Sequence, residues 1–150
     1  MRSVFLALAL GSALCAAPAW GQFAKPEIAV QYRQAAMFLM ANHMQRIKGE
    51  LDYSKPNLDV IRASTALIDT LKTLPFEAFV EGTAEVGDSA AKPEIWTEQE
   101  RFKKLAGEMQ DRVAKLNDAA RSGDVAAIRS AFGEAGKACK SCHDDYRRKK

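Results

Sequence analysis

Residues 125–146 read VAAIRSAFGEAGKACKSCHDDY. Val125, Ile128, Phe132, Ala135, Cys139, Cys142 and Tyr146 recur at alternating steps of three and four, the spacing that keeps side chains on one face of an α-helix. Asp124 is suited to cap its start, and the cations Arg147 to Lys150 suit the negative end of its dipole. The seam of this helix carries a motif, Cys139-Lys140-Ser141-Cys142-His143. Two cysteines, two spacers and an adjoining histidine form the attachment signature of a c-type haem. Each thiol adds across one vinyl group, and the histidine can reach the iron. Cys139, Cys142 and His143 share one helical face, so a haem bound there would hang from the inward side of the last helix.

Two other chemistries compete for the motif. A redox disulfide would usually sit beside a βαβ pattern, and no strand is legible in this chain. A zinc site would want a fourth ligand, for which only His43 or a carboxylate is left. The start of the chain supports covalent haem, which is attached outside the cytoplasm in bacteria. Arg2, the apolar run from Val4 to Leu14 and the small residues of Ala19-Trp20-Gly21 read as an export signal cleaved after Gly21. The domains expected are therefore a leader at 1–21 and one unit at 22–150, located in the periplasm. Cys15 leaves with the leader. The net charge of +3 is mild and both signs are interspersed, which argues for neither nucleic acid nor a membrane as partner.

Upstream, three more helices are legible. The first runs from about Pro26 to Gly49, with Ala29, Tyr32, Ala36, Leu39 and His43 on one face and Met37, Met40, Met44 and Ile47 flanking it. The second runs from about Asn57 to Leu74, with Leu58, Ile61, Leu67, Ile68, Leu71 and Leu74 as its buried stripe and Pro75 as its stop. The third opens at Thr97, where Thr97 and Glu100 make a capping-box pattern, and continues through Phe102, Leu105, Met109, Val113 and Leu116 to the break at Ser122-Gly123. Between the second and third lies an irregular crossover, Pro75 to Trp96, whose Phe76, Phe79 and Trp96 need burial. The fold class expected is all-α: an antiparallel four-helix bundle with haem bound inside near the C-terminal helix.

The sixth coordination position separates the functions open to such a haem. A strong second ligand makes an electron carrier, and an empty face binds small gases. Met37, Met40, Met44 and His43 are the candidates, although methionines at helical spacing are more often core packing. No nucleophile–base pair or carboxylate dyad stands out, so the chain is not expected to be an enzyme.

Longer stretches carry a more specific likeness. Residues 139–149 (CKSCHDDYRRK) resemble the cytochrome c′ family, a class of bacterial c-type cytochromes. So do Gln22 to Glu27, Tyr32-Arg33-Gln34, Leu74-Pro75-Phe76 with Phe79, and Pro93-Glu94-Ile95-Trp96. The resemblance covers essentially all of residues 22–150. It implies one haem c bound through Cys139 and Cys142, with His143 as proximal iron ligand and Arg147 beside that face. It implies Arg33 near a haem propionate and Met37 at the distal position, where a bulky apolar side chain caps the iron without binding it. Phe79 and Tyr146 are further candidate pocket residues. The function implied is a five-coordinate, high-spin haem that binds nitric oxide or carbon monoxide, chiefly nitric oxide, for sequestration or protection. A homodimer through the first two helices is implied as well. Low-spin relatives use a first-helix methionine as sixth ligand, so the alternative is a soluble electron-transfer cytochrome with Met37 on the iron, served by periplasmic electron donors. A haem-free redox or interaction protein is a third reading.

Overall fold

The computed structural model describes residues 22–149; the leader expected at 1–21 lies outside them, as does Lys150. Six helices follow in order: α1 Pro26–Leu51, α2 Leu58–Leu71, α3 Leu74–Glu77, α4 Glu94–Thr97, α5 Gln99–Ser122 and α6 Val125–Tyr146. The four long ones, α1, α2, α5 and α6, make the bundle. Among the described residues the only extended pairing is an isolated bridge between Ala91 and Arg147. No described helix is long and apolar enough to cross a membrane.

Local chemistry sets three of the helix ends. Asn57 Oδ1 accepts from the amides of Asp59 and Val60, and Asp124 Oδ1 accepts from those of Ala126 and Ala127. Such caps contribute about 1 kcal/mol each. Gly123 ends α5 at φ 76°, a left-handed conformation that glycine adopts without a Cβ penalty. Three sequence expectations are corrected. The second helix stops at Leu71, and Pro75 lies in the first turn of α3, where its missing N–H costs nothing. Thr97 does not cap α5: its hydroxyl donates to the carbonyl of Glu94 within α4, and Glu98 precedes α5 with no side-chain cap. Leu39 and Leu67 are 44% and 37% exposed, because the core faces of α1 and α2 are narrower than the apolar pattern.

The core lies along the bundle axis. Ile47, Ile61, Ile68, Val113, Leu116 and Ile128 are essentially inaccessible. Each such side chain stabilises the fold by roughly 1.5–3 kcal/mol through removal from water. Packing is uneven around the bundle. α1 packs along α2, α2 along α5 and α5 along α6, but the α1 and α6 backbones come close at few points. The fourth side of the bundle is therefore a cleft.

The candidate haem cleft

α6 delivers the motif to this cleft in the expected register. Ile128, Ala135 and Tyr146 are buried on its seam, and Cys139 and Cys142, one turn apart between them, are half-buried. Neither cysteine is in a disulfide. Two cavities meet at the motif. One, of about 300 Å³, is lined by Met37, Met40 and Met44 of α1, by Met109 of α5, and by Cys139, Cys142 and His143. The other, of about 460 Å³, is lined by Arg33, Met37, Phe79, Cys142, His143, Tyr146 and Arg147 among others. Met37 and His143 line both, one from each side of the cleft.

Electrostatics at the motif follow from burial. Desolvation pushes the Cys142 thiol up to about 11, with the charge of Asp145 adding to it, and desolvation raises Cys139 as well. Both thiols are thus protonated at neutral pH. Desolvation, then the Arg147 cation, lowers the pKa of His143. Its imidazole is neutral at pH 7, the form that ligates a metal. The ring is exposed and lines both cavities. Tyr146 is buried, and its hydroxyl donates to Glu98 Oε2 at 2.9 Å.

Behind the cleft stands an aromatic wall. Phe102 meets Phe79 at 5.0 Å, Phe76 at 5.8 Å and Tyr146 at 5.4 Å between ring centroids. Phe79 also packs on Trp96, whose indole N–H donates to the carbonyl of Phe79 at 3.2 Å. The crossover thus packs its aromatics half-buried against the bundle, in the direction their presence in an irregular stretch predicts. Phe102 and Phe132 also line the cleft, although sequence reading assigned them only to helix faces. Their periodicity alone gave no signal of a ligand.

Arg33 is held by the crossover. It is 3% exposed, and its guanidinium is enclosed by the crossover. Nη1 donates to Ala78 O at 2.9 Å and Thr83 Oγ1 at 2.6 Å; Nη2 donates to Thr83 O at 2.7 Å and Ser89 Oγ at 2.9 Å. Its Cζ lies 4.6 Å from the Phe79 ring centroid, within range of a cation–π attraction. Burial pulls its pKa down to about 10, which leaves it charged at neutral pH. Of its five donors, only Nε–H is left for anything in the cleft. His43 lines neither cavity, and its buried Nδ1 has no hydrogen-bond partner.

The donor set and shape fit a porphyrin. The cleft offers two thiols one turn apart and a neutral imidazole beside them, between apolar walls rich in methionine and phenylalanine. Among the described residues no three His, Cys, Asp or Glu side chains are grouped to hold a bare metal ion. The fold and cleft together define a four-helix haem protein of the c type.

Comparison with known proteins makes this specific. The family model described as Cytochrome C' matches residues 28–147. The cytochrome c′ of Alcaligenes xylosoxydans xylosoxydans is 47% identical over 133 residues, covering 86% of this chain and all of that protein. The crystal structure of cytochrome c′ from Rubrivivax gelatinosus superposes with a TM-score of 0.80 at 40% identity, covering 85% of this chain and all of that one. A nitric oxide complex of a mutant cytochrome c′ from Alcaligenes xylosoxidans superposes at 0.76, with 44% identity and 86% of this chain covered. The chain belongs to the cytochrome c′ family, and its prosthetic group is covalently attached haem c.

Proposed function

We propose that this protein is a periplasmic gas-binding haem protein, with Cys139 and Cys142 as thioether anchors and His143 as the proximal ligand. The observation that carries this reading is the cleft between α1 and α6, into which Met37 and His143 project from opposite sides. When bound, the haem supplies an iron that small diatomic molecules can ligate. The chain's own residues do the rest. Met37 would cap the distal face without ligating the iron, which would then be five-coordinate and high-spin. A diatomic must push that side chain aside, so its bulk selects among ligands. Arg147 keeps positive charge beside His143, and Nε–H of Arg33 is the donor available to a propionate. Phe79 and Tyr146 wall the pocket. Nitric oxide is the favoured ligand, consistent with the complex formed by the Alcaligenes xylosoxidans mutant. His143 would hold the iron from the other face, and it would be the protein ligand given up if nitric oxide displaces one. The role is sequestration or protection, not catalysis.

The optical spectrum of the oxidised protein at neutral pH tests the reading. A high-spin spectrum is expected. A low-spin spectrum with a methionine–iron charge-transfer band would instead make Met37 a sixth ligand and the protein an electron carrier. Export follows the leader at 1–21, which is cleaved after Gly21. Ile28, Phe38 and Leu39 of α1 and Leu67 of α2 are large apolar side chains left exposed, and they support a homodimer through α1 and α2. Sedimentation at micromolar concentration should give twice the chain mass; a monomer there would refute the dimer.

A further inference from the structure

The crossover between α3 and α5 is tied down on both sides of the cleft. From α1, Arg33 binds Ala78, Thr83 and Ser89 as described. From the other side, the tail after α6 zips onto the same segment. Arg148 N donates to Ala90 O at 2.8 Å and Lys92 N to Tyr146 O at 3.0 Å, flanking the Ala91–Arg147 bridge. The Lys92 ammonium donates to the carbonyls of Asp144 and Asp145, at 3.2 and 2.7 Å, and so caps the end of α6. Arg148 Nη2 donates to Ala84 O at 3.1 Å and to Ser89 O at 2.6 Å.

Ser89 belongs to both sets. Its hydroxyl accepts from Arg33, and its carbonyl accepts from Arg148. Ser89, Thr83 and Arg33 are all buried, so parting any of these bonds leaves a polar group without water to replace its partner. At the α1 end, Arg33 lies about one helical turn before Met37. At the tail end, Arg147 N donates to His143 O, and its side chain shares a cavity with the His143 ring.

We propose that residues 78–92 form a link across the haem cleft with Ser89 as its junction, through which displacement of Met37 by an entering diatomic ligand is felt at Arg147 and His143. Arg33 and Ser89 are positioning residues in this scheme. It rests on the reading above that puts Met37 and His143 on opposite faces of the haem. Because coupling between two sites is reciprocal, freeing His143 also loosens the Met37 side.

Two measurements on the haem-loaded protein test the link. The first is amide hydrogen exchange in Arg33→Lys, which keeps the charge but loses the fork. The Lys92 and Arg148 amides should exchange roughly tenfold faster while that of Val113 in α5 is unchanged. Unchanged exchange at Lys92 and Arg148 overturns the link, whatever gas the haem binds. Should Arg33→Lys fail to accumulate, Ser89→Ala serves in the same measurement. The second is a double-mutant cycle of Met37→Ala and Ser89→Ala. It is read as the rate at which the reduced protein under nitric oxide loses the spectrum of histidine-bound iron. The two effects should fail to multiply by roughly 2- to 30-fold; independent effects overturn the link. If the unaltered protein keeps His143 under nitric oxide, the histidine-release reading fails, and the exchange measurement alone decides the link.

Discussion

The seam between α2 and α5 and the cleft between α1 and α6 are opposite sides of one bundle, built from similar amphipathic helices with opposite results. Across the seam, Ile61 and Ile68 meet Val113 and Leu116, and the polar groups there find each other. Thr65 Oγ1 donates to Asn117 Oδ1 at 3.1 Å, Asn117 Nδ2 donates to Asp69 Oδ2 at 3.3 Å, and Lys72 pairs with Asp69 at 2.6 Å. Across the cleft, flexible methionines face two cysteines and a histidine, and the side chains line space they do not fill. The seam fixes register through β-branched packing and a satisfied network. The cleft leaves its closure to a cofactor, and methionine suits such a wall because its thioether adapts to an irregular neighbour.

Removing the anchors should break the contrast most completely. Replacing both Cys139 and Cys142 by serine is expected to abolish covalent haem, leaving no haem-linked staining of the chain on a denaturing gel. Any haem that survives denaturation would refute the thioether assignment. A pair of truncations then compares the two sides. Leu116→Ala at the seam should cost about 2–5 kcal/mol in urea unfolding, because the site is closed on all sides. Met37→Ala, at a half-buried position bordering both cavities, should cost less than about 1 kcal/mol while raising the affinity for carbon monoxide measured by optical titration. Equal costs would mean that the cleft wall is packed as tightly as the seam.

The smallest effect is expected at alkaline pH. Burial, then the hydrogen bond to Glu98, raises the Tyr146 phenol to about 12. A raised pKa means that the fold favours the neutral phenol. The contribution to stability is therefore complete below the ordinary tyrosine value of about 10 and fades as pH climbs through about 12. Tyr146→Phe should remove the late step from a tyrosinate absorbance titration and flatten the stability profile in that window. A late step that survives the substitution would assign it to another group.

The seam and the motif-bearing helix were legible from the chain alone, because burial on one face of a helix writes a period of three and four into the sequence. Asp124, Asn57 and Gly123 mark their helix ends by chemistry that acts within a few residues. The environment of Arg33 left no such mark. Its acceptors are Ala78, Thr83 and Ser89, forty-five to fifty-six residues away in an irregular segment, and two of its four bonds go to backbone carbonyls that any residue provides. The capping-box pattern at Thr97 misled for a related reason. A local motif states what a residue is able to do, and the turn of α4 claimed the hydroxyl first.

The turn between α5 and α6 has a consequence for the order in which the chain closes. Only Gly123 and Asp124 separate the two helices, so their contacts are among the most local of the bundle and should form early. The gap between α1 and α6, by contrast, spans residues at the two ends of the described chain, such as Met37 and His143, and its loop-closure entropy is correspondingly larger. If the α5–α6 hairpin forms before α1 packs across the cleft, Cys139 and Cys142 stay accessible until that side closes. Pulse-labelled exchange during refolding should protect amides of the α5–α6 hairpin before those of α1.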